Sequence, residues 1–149
     1  MPVHHLLYIS DASDDLNTDN LDAMVRPFRT KNRARGVTGV LFYSAGHFIQ
    51  LLEGAGPIVE RLYETIRADP RHHNVRRLVM CPVDRRMFRE WDMGLLNLDE
   101  RSKLDQQRLV RLVREAEQEK QETPLALRLL SDFCMMLPRP SGEPHTVES

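Results

Sequence analysis

The sequence predicts an α+β domain, a largely antiparallel sheet carrying two helices on one face, and two observations predict it. Short apolar runs with a period of two recur at 3–10, 37–43, 47–53 and 75–82, each bounded by turn-forming residues. Between them, at 18–34 and 57–68, apolar residues recur at helical spacing. The resulting order is strand, helix, strand, strand, helix, strand, with one further strand behind it. At 149 residues the chain is long enough for one such domain to bury about two-thirds of its surface without disulfide or metal staples.

The first strand, 3–10, places Val3, His5, Leu7 and Ile9 on one face and His4, Leu6, Tyr8 and Ser10 on the other. A turn-rich stretch at 11–17 leads to Thr18, a suitable N-cap for a helix reaching about residue 34. Leu21, Val25, Phe28 and Asn32 fall at i, i+4, i+7 and i+11, so Asn32 points inward with the core residues. Pro27 removes one backbone donor from this helix and predicts a kink or a 3₁₀ stretch there. Gly36 stops it.

A hairpin follows, with strands at 37–43 and 47–53 around a turn at 44–46. Gln50 lies in the second strand, in the run Phe48, Ile49, Gln50, Leu51, Leu52, where both faces are otherwise apolar. An amide left unsatisfied there would cost about 1 to 3 kcal/mol. Asn32 and Gln50 together predict a planar ligand whose rim carries donors and acceptors. Taken singly, Gln50 is as well explained by an edge position or a loop carbonyl, and Asn32 by a helix end.

Pro57 opens the second helix, Val59, Leu62, Tyr63 and Ile66 form its buried stripe, and Asp69-Pro70 ends it. Beyond the polar connector Arg71-His72-His73-Asn74 come the strand 75–82, a basic turn at 84–86 and a last strand at about 89–95. In that last strand Trp91 and Met93 share a face and Asp92 points the other way. This is the ferredoxin-like βαββαβ pattern with an additional strand. Its second sheet face needs a cover, and residues 98–137 supply one. Ser102 with Asp105 reads as a capping box before the stripe Leu109, Leu112, Val113 and Ala116, and Thr123-Pro124 opens a second helix with Leu125, Leu129, Phe133 and Met136. The expected division is a domain at 1–97, a helical cap and output segment at 98–137, and a disordered tail at 138–149.

Composition narrows the function. Lys+Arg of 21 against Asp+Glu of 22 gives a formal charge of -1, which argues against nucleic acid as a partner. Cys81 and Cys134 lie in apolar runs and form no CxxC pair, as suits a reducing compartment. No start resembles a signal peptide and no apolar run reaches about 18 residues, so a soluble, cytoplasmic protein with no membrane contact is expected. His4, His5, His72 and His73 form two doublets, and adjacent strand residues face opposite ways, so no metal site is expected. An acylphosphatase type of enzyme would bind an acyl phosphate through an arginine and Asn32, but the glycine-rich phosphate loop it needs near the first strand is missing. A dimerising adaptor with the C-terminal helices as its surface is the remaining rival.

The phrase GVTGVLFYSAGHFIQLLEG, followed by DPRHHNV and RRMFREWDMG, with Tyr8, Asn32, Gln50, Trp91 and Met93 at their separations, resembles the BLUF photoreceptors, the blue-light sensors using flavin. The resemblance covers about 3–95, and the C-terminal helical pair resembles that of the short, stand-alone members. It implies a flavin, FAD with FMN or riboflavin as alternatives, its ring lying between the two helices over the sheet. It places Asn32 at the pyrimidine edge, Gln50 between Tyr8 and the N5/C4-carbonyl edge, Arg71 and His72 near the pyrimidine edge, and Lys31 at a phosphate or the ribityl chain. Phe28 and Lys31 stand where the family commonly has small or amide side chains. Flavin offers acceptors at N5, O4 and O2 and a donor at N3, which the two halves of a carboxamide satisfy.

The resemblance also implies a switch, not a turnover enzyme. Tyr8 loses an electron and then a proton, the pair recombines, and Gln50 is left rotated or tautomerised with a new hydrogen bond to the C4 carbonyl, which shifts absorption to the red. Trp91 and Met93 are expected to carry the signal through the last strand and C-terminal helices. The implied assembly is a homo-oligomer, a dimer or larger ring, acting on a response regulator, a transcription regulator or a cyclic-nucleotide enzyme.

Overall fold

The computed structural model describes residues 2–16, 18–97 and 107. The elements are β1 (Val3–Ala12), a 3₁₀ turn (Thr18–Asn20), α1 (Leu21–Arg35), β2 (Thr38–Ser44), β3 (His47–Ala55), α2 (Gly56–Arg67), β4 (His72–Val83) and β5 (Gly94–Asn97). The expected C-terminal helices and tail, 98–149, lie outside the described residues apart from Gln107. No helix among the described residues is long and apolar enough to cross a membrane.

Among the described residues one sheet holds the five strands in the order β4-β1-β3-β2-β5, antiparallel throughout except for the parallel pair β2–β5. Alternation along β1 sorts the core into two halves. Leu7 and Ile9 join Val40, Phe42, Ile49, Leu51, Val79 and Phe88 on one face, while Leu6 and Tyr8 meet Leu41, Phe48 and Leu52 and the helices on the other. The face assignments expected for the first strand hold.

Leu21, Val25 and Asn32 are the buried residues of α1, and Pro27 sits within an uninterrupted helix, exposed to solvent. The helix begins later than expected: Thr18 opens a 3₁₀ turn, and Asn20 occupies the N-cap without a side-chain cap bond. Gly36 ends it in the left-handed conformation, φ 68°, which glycine adopts without a Cβ penalty. Ala45 and Gly46, both with positive φ, close the two-residue hairpin. Gly39 is required by close approach, because a Cβ there would meet the Leu51 carbonyl oxygen at 2.1 Å.

The last strand departs from the sequence reading. Residues 89–93 are not a strand, and pairing with β2 begins only at Gly94. The topology explains why. β4 and β5 lie at opposite edges of the sheet, so segment 84–93 must cross the sheet to join them, and it crosses the face opposite the helices. Phe88 is buried beneath that face, with Met87 and Trp91 packed alongside. Trp91 and Met93 consequently do not share a face: Trp91 packs against the Leu7 and Ile9 half of the core, and Met93 belongs to the half containing Tyr8.

Candidate functional site

A cleft opens between α1, α2 and the helix-facing side of the sheet, about 550 Å³ including its solvent-open mouth. Met24, Val25 and Phe28 from α1, Leu62 and Ile66 from α2, and Leu41 and Leu52 from the sheet make its apolar walls. Its polar groups are Tyr8, Asn32, Gln50, Asp69, Arg71 and His72, with the Met93 thioether beside them.

Register sets the central pair. Tyr8 of β1 and Gln50 of β3 are directly opposite, and the Tyr8 hydroxyl donates to the Gln50 carboxamide oxygen Oε1. Gln50 Nε2 in turn donates to Met93 Sδ at 3.2 Å. The carboxamide orientation thus follows from its neighbours, a donor on one side and an acceptor on the other. Burial pushes the Tyr8 phenol far above its usual range, with smaller contributions from Tyr63 and Asp69, so it stays protonated.

Asn32 reaches the cleft from the last turn of α1, and its Nδ2 donates to the Asp92 carbonyl at 2.8 Å. One amide hydrogen and the carboxamide oxygen remain for a ligand rim. Arg71 Nε and NH2 grip Asp69 at 3.0 Å and 2.5 Å, and its guanidinium carbon lies 5.2 Å from the centre of the Phe28 ring. The hydrogen bonds from Arg71 hold the Asp69 carboxyl below the usual range. His72 Nε2 lies 2.6 Å from the Ile66 carbonyl, which can only accept, so Nε2 carries a proton. In the neutral ring Nδ1 then accepts from the Ser10 hydroxyl at 2.7 Å.

Of the residues expected from sequence, Tyr8, Asn32, Gln50, Arg71, His72 and Met93 come together around this cleft. Lys31 does not: Asn32, next to it, takes the inward face, and Lys31 is exposed on α1. Trp91 is also separate, on the far side of the sheet. Asp69 joins the polar set unannounced, and Ser10 stands behind it as the partner of His72. Ser10 shared the Tyr8 face by simple alternation, whereas Asp69 read only as the end of a helix.

The donor set suits a flat heteroaromatic ring. Two carboxamides and a phenol line the cleft, apolar side chains of both helices wall the space, and the Arg71–Asp69 ion pair adds charged groups to its lining. This matches the mixed acceptors and donor of a flavin rim.

The family described as sensors of blue-light using FAD, BLUF, matches residues 3–94. The chain is 37% identical over 89 residues to the photoactivated adenylate cyclase subunit beta of Euglena gracilis, covering 59% of this chain and 10% of that protein. It is 36% identical over 93 residues to the blue light- and temperature-regulated antirepressor BluF of Escherichia coli (strain K12), covering 62% and 23%. The chain therefore spans less than a quarter of the length of these two relatives. Among solved structures, BlsA in its photo-activated state superposes with a TM-score of 0.72 at 25% identity, covering 94% of this chain and 99% of that one. The dark state of BlrB, a BLUF protein, superposes with a TM-score of 0.69 at 25% identity, covering 91% and 96%.

Proposed function

Because the chain belongs to the BLUF family of flavin-using blue-light sensors, we propose that its Tyr8 and Gln50 form a light-driven relay whose end point is a rearranged Gln50 carboxamide. The observation that carries this reading is the continuous chain from the Tyr8 hydroxyl through both ends of the Gln50 amide to Met93 Sδ.

When bound, a flavin supplies absorption of blue light and an excited state that accepts an electron. FAD is the form named by the family description, with FMN and riboflavin as alternatives sharing the same ring. Asn32 and Gln50 would hold the ring's polar rim, Arg71 and His72 would flank it, and Lys31 on the outer surface of α1 would meet the ribityl or phosphate chain. Tyr8, a buried neutral phenol, gives up an electron and passes its hydroxyl proton to the Gln50 carboxamide. Both return to Tyr8, so no net oxidation remains. Gln50 ends rotated or tautomerised, with its hydrogen bond to Met93 Sδ broken. The return of the Tyr8 electron and proton makes the chain a switch and not a catalyst of turnover.

Output requires an element with two arrangements that Gln50 biases. Met93 is that element's contact with the relay, and the segment carrying it also carries Trp91. The chain acts on a partner protein as a homo-oligomer, and the cyclase and antirepressor relatives point to a cyclic-nucleotide enzyme or a transcription regulator, with a response regulator as the third class.

The test is an absorption spectrum of the purified chain before and after blue illumination. A flavin spectrum that moves to the red and recovers in darkness is expected, and Gln50→Ala should keep the colour and lose the shift. A shift unchanged in Gln50→Ala would overturn the relay.

A further inference from the structure

On the sheet face opposite the cleft, His5, Glu53 and Thr38 stand in one register row across β1, β3 and β2. Glu53 is 0% exposed. A buried carboxylate is costly unless it is thoroughly hydrogen-bonded. Here its oxygens accept from His5 Nε2 at 2.7 Å, Thr38 Oγ1 at 3.0 Å, the Met87 amide at 2.5 Å and the Phe88 amide at 2.8 Å. Thr38 Oγ1 itself accepts from Arg86 NH1 at 2.9 Å, and Arg86 also donates to the Glu53 and Gly36 carbonyls at 3.1 Å and 2.8 Å. The cluster therefore clamps three consecutive residues, Arg86, Met87 and Phe88, in the middle of the segment that crosses beneath the sheet.

The far end of the same segment is held by α1 and β2. Asn32 Nδ2 donates to the Asp92 carbonyl at 2.8 Å, Arg29 Nε to the Met93 carbonyl at 3.0 Å, Arg33 pairs with the Asp92 carboxylate at 2.9 Å, and the Gly39 amide donates to the Trp91 carbonyl at 3.1 Å. Only Arg89 and Glu90 separate the two anchors, and the Trp91 amide closes that span with a bond to the Phe88 carbonyl at 2.9 Å. A displacement at Phe88 has almost no slack in which to dissipate before it reaches Met93.

We infer that Glu53 is a positioning residue for the switch: acting through segment 86–93, it fixes where Met93 presents its sulfur to Gln50, and it couples that sulfur to Trp91 on the opposite face. β3 thus carries the relay amide on one side and the clamp for that amide's acceptor on the other. This rests on the photoreceptor reading for its effect on the light response, but the mechanical coupling between Glu53 and segment 86–93 does not depend on light.

The experiment compares Glu53→Gln, which keeps shape but replaces one accepting oxygen with a donor, with Thr38→Val, which is isosteric and removes only the bridging hydroxyl. Val79→Ala, on β4 and outside the hydrogen-bonded clamp, serves as a control of similar burial on the same face. Two readouts use the full chain with its bound flavin. The first is quenching by acrylamide of Trp91, the only tryptophan, together with the methyl resonance of isotopically labelled Met93 in the dark. The second is the rate of dark recovery after blue light. Glu53→Gln and Thr38→Val should raise Trp91 quenching at least twofold and move the Met93 resonance. They should also slow recovery about threefold, because the resting Gln50 orientation loses a well-placed acceptor. Val79→Ala should do neither.

If the Trp91 and Met93 signals in both variants stay with the control, the inference is overturned. If those signals change while recovery does not, the clamp is real and its role in the switch is refuted. A wild-type chain that shows no red shift would overturn the photochemical reading instead, while the Trp91 and Met93 signals would still decide the clamp.

Discussion

Tyr8 and Gln50 occupy one register position of the β1–β3 ladder, so their hydrogen bond is set by strand pairing and not by the reach of flexible side chains. Both lie on strands with neighbours on either side, where the backbone has least freedom to move them apart. Tyr8→Phe keeps the ring and removes the donor, leaving Gln50 Oε1 without its partner. A stability loss of about 1 kcal/mol is expected by denaturant unfolding, with flavin colour retained and no red shift on illumination.

The same phenol gives a prediction about pH. Burial raises its pKa above the ordinary value of 10.0, so the unfolded chain sheds this proton at a lower pH than the folded one. The folded state then binds more protons, and stability from this group is complete below pH 10 and declines as pH climbs past it. Ultraviolet titration should find Tyr8 silent through the range where an exposed tyrosine ionises, and the alkaline decline in stability should shrink in Tyr8→Phe.

Glu53 gives the opposite slope. Burial pushes its carboxyl up, but hydrogen bonds from His5 and the amides of Met87 and Phe88 outweigh this and hold it below its ordinary value of 4.5. Its contribution is therefore present above that value and lost as pH falls through the depressed one. Wild type and Glu53→Gln should differ most near neutrality, by about 3 kcal/mol on the scale of a broken buried pair, and converge in acid. Urea unfolding at neutral pH and at several values below 4.5 measures the convergence.

Met93→Leu removes the sulfur that accepts from Gln50 Nε2 while nearly conserving volume. The cost in stability should stay below about 1.5 kcal/mol. Flavin should remain bound, and the lit state should decay more slowly, as expected if the sulfur favours the resting amide. Time-resolved absorption after a blue flash reads this directly.

Gly39 is a purely structural test. A methyl group placed there would have to displace the Leu51 carbonyl, a backbone atom of the neighbouring strand. Gly39→Ala should cost upwards of about 2 kcal/mol and lower soluble yield, whereas Gly54→Ala, whose Cβ would meet side-chain methyls at 3.3 Å, should cost less.

Local periodicity was enough to read most of this fold. The faces of β1, the inward stripe of α1 ending in Asn32 and the Gln50 position on β3 all follow from spacings of two or of three to four residues. At Trp91, Met93 and Asp69 the reading failed because distant topology overrides a local pattern. Trp91 and Met93 alternate like strand residues, yet the chain there is crossing from one sheet edge to the other, and no residue-to-residue rhythm encodes that passage. Asp69 looked like punctuation because its partner Arg71 matters only once the cleft exists. Lys31 was placed by resemblance, and the helical stripe that turns Asn32 inward already turned its neighbour out. Alternation put His5 on the face of Leu7 and Ile9, but its meeting with Glu53 depends on the β1–β3 register.

β5 is the rim of the sheet, four residues zipped along one flank to β2 and running with it instead of against it. Asn97, where the described part of the domain ends, lies at the end of this short seam. Peeling it open would leave the β1–β3 ladder that pairs Tyr8 with Gln50 intact, so its amides should exchange with deuterated solvent well before those of β1 and β3. A message can leave the sheet there without melting the place where light is caught.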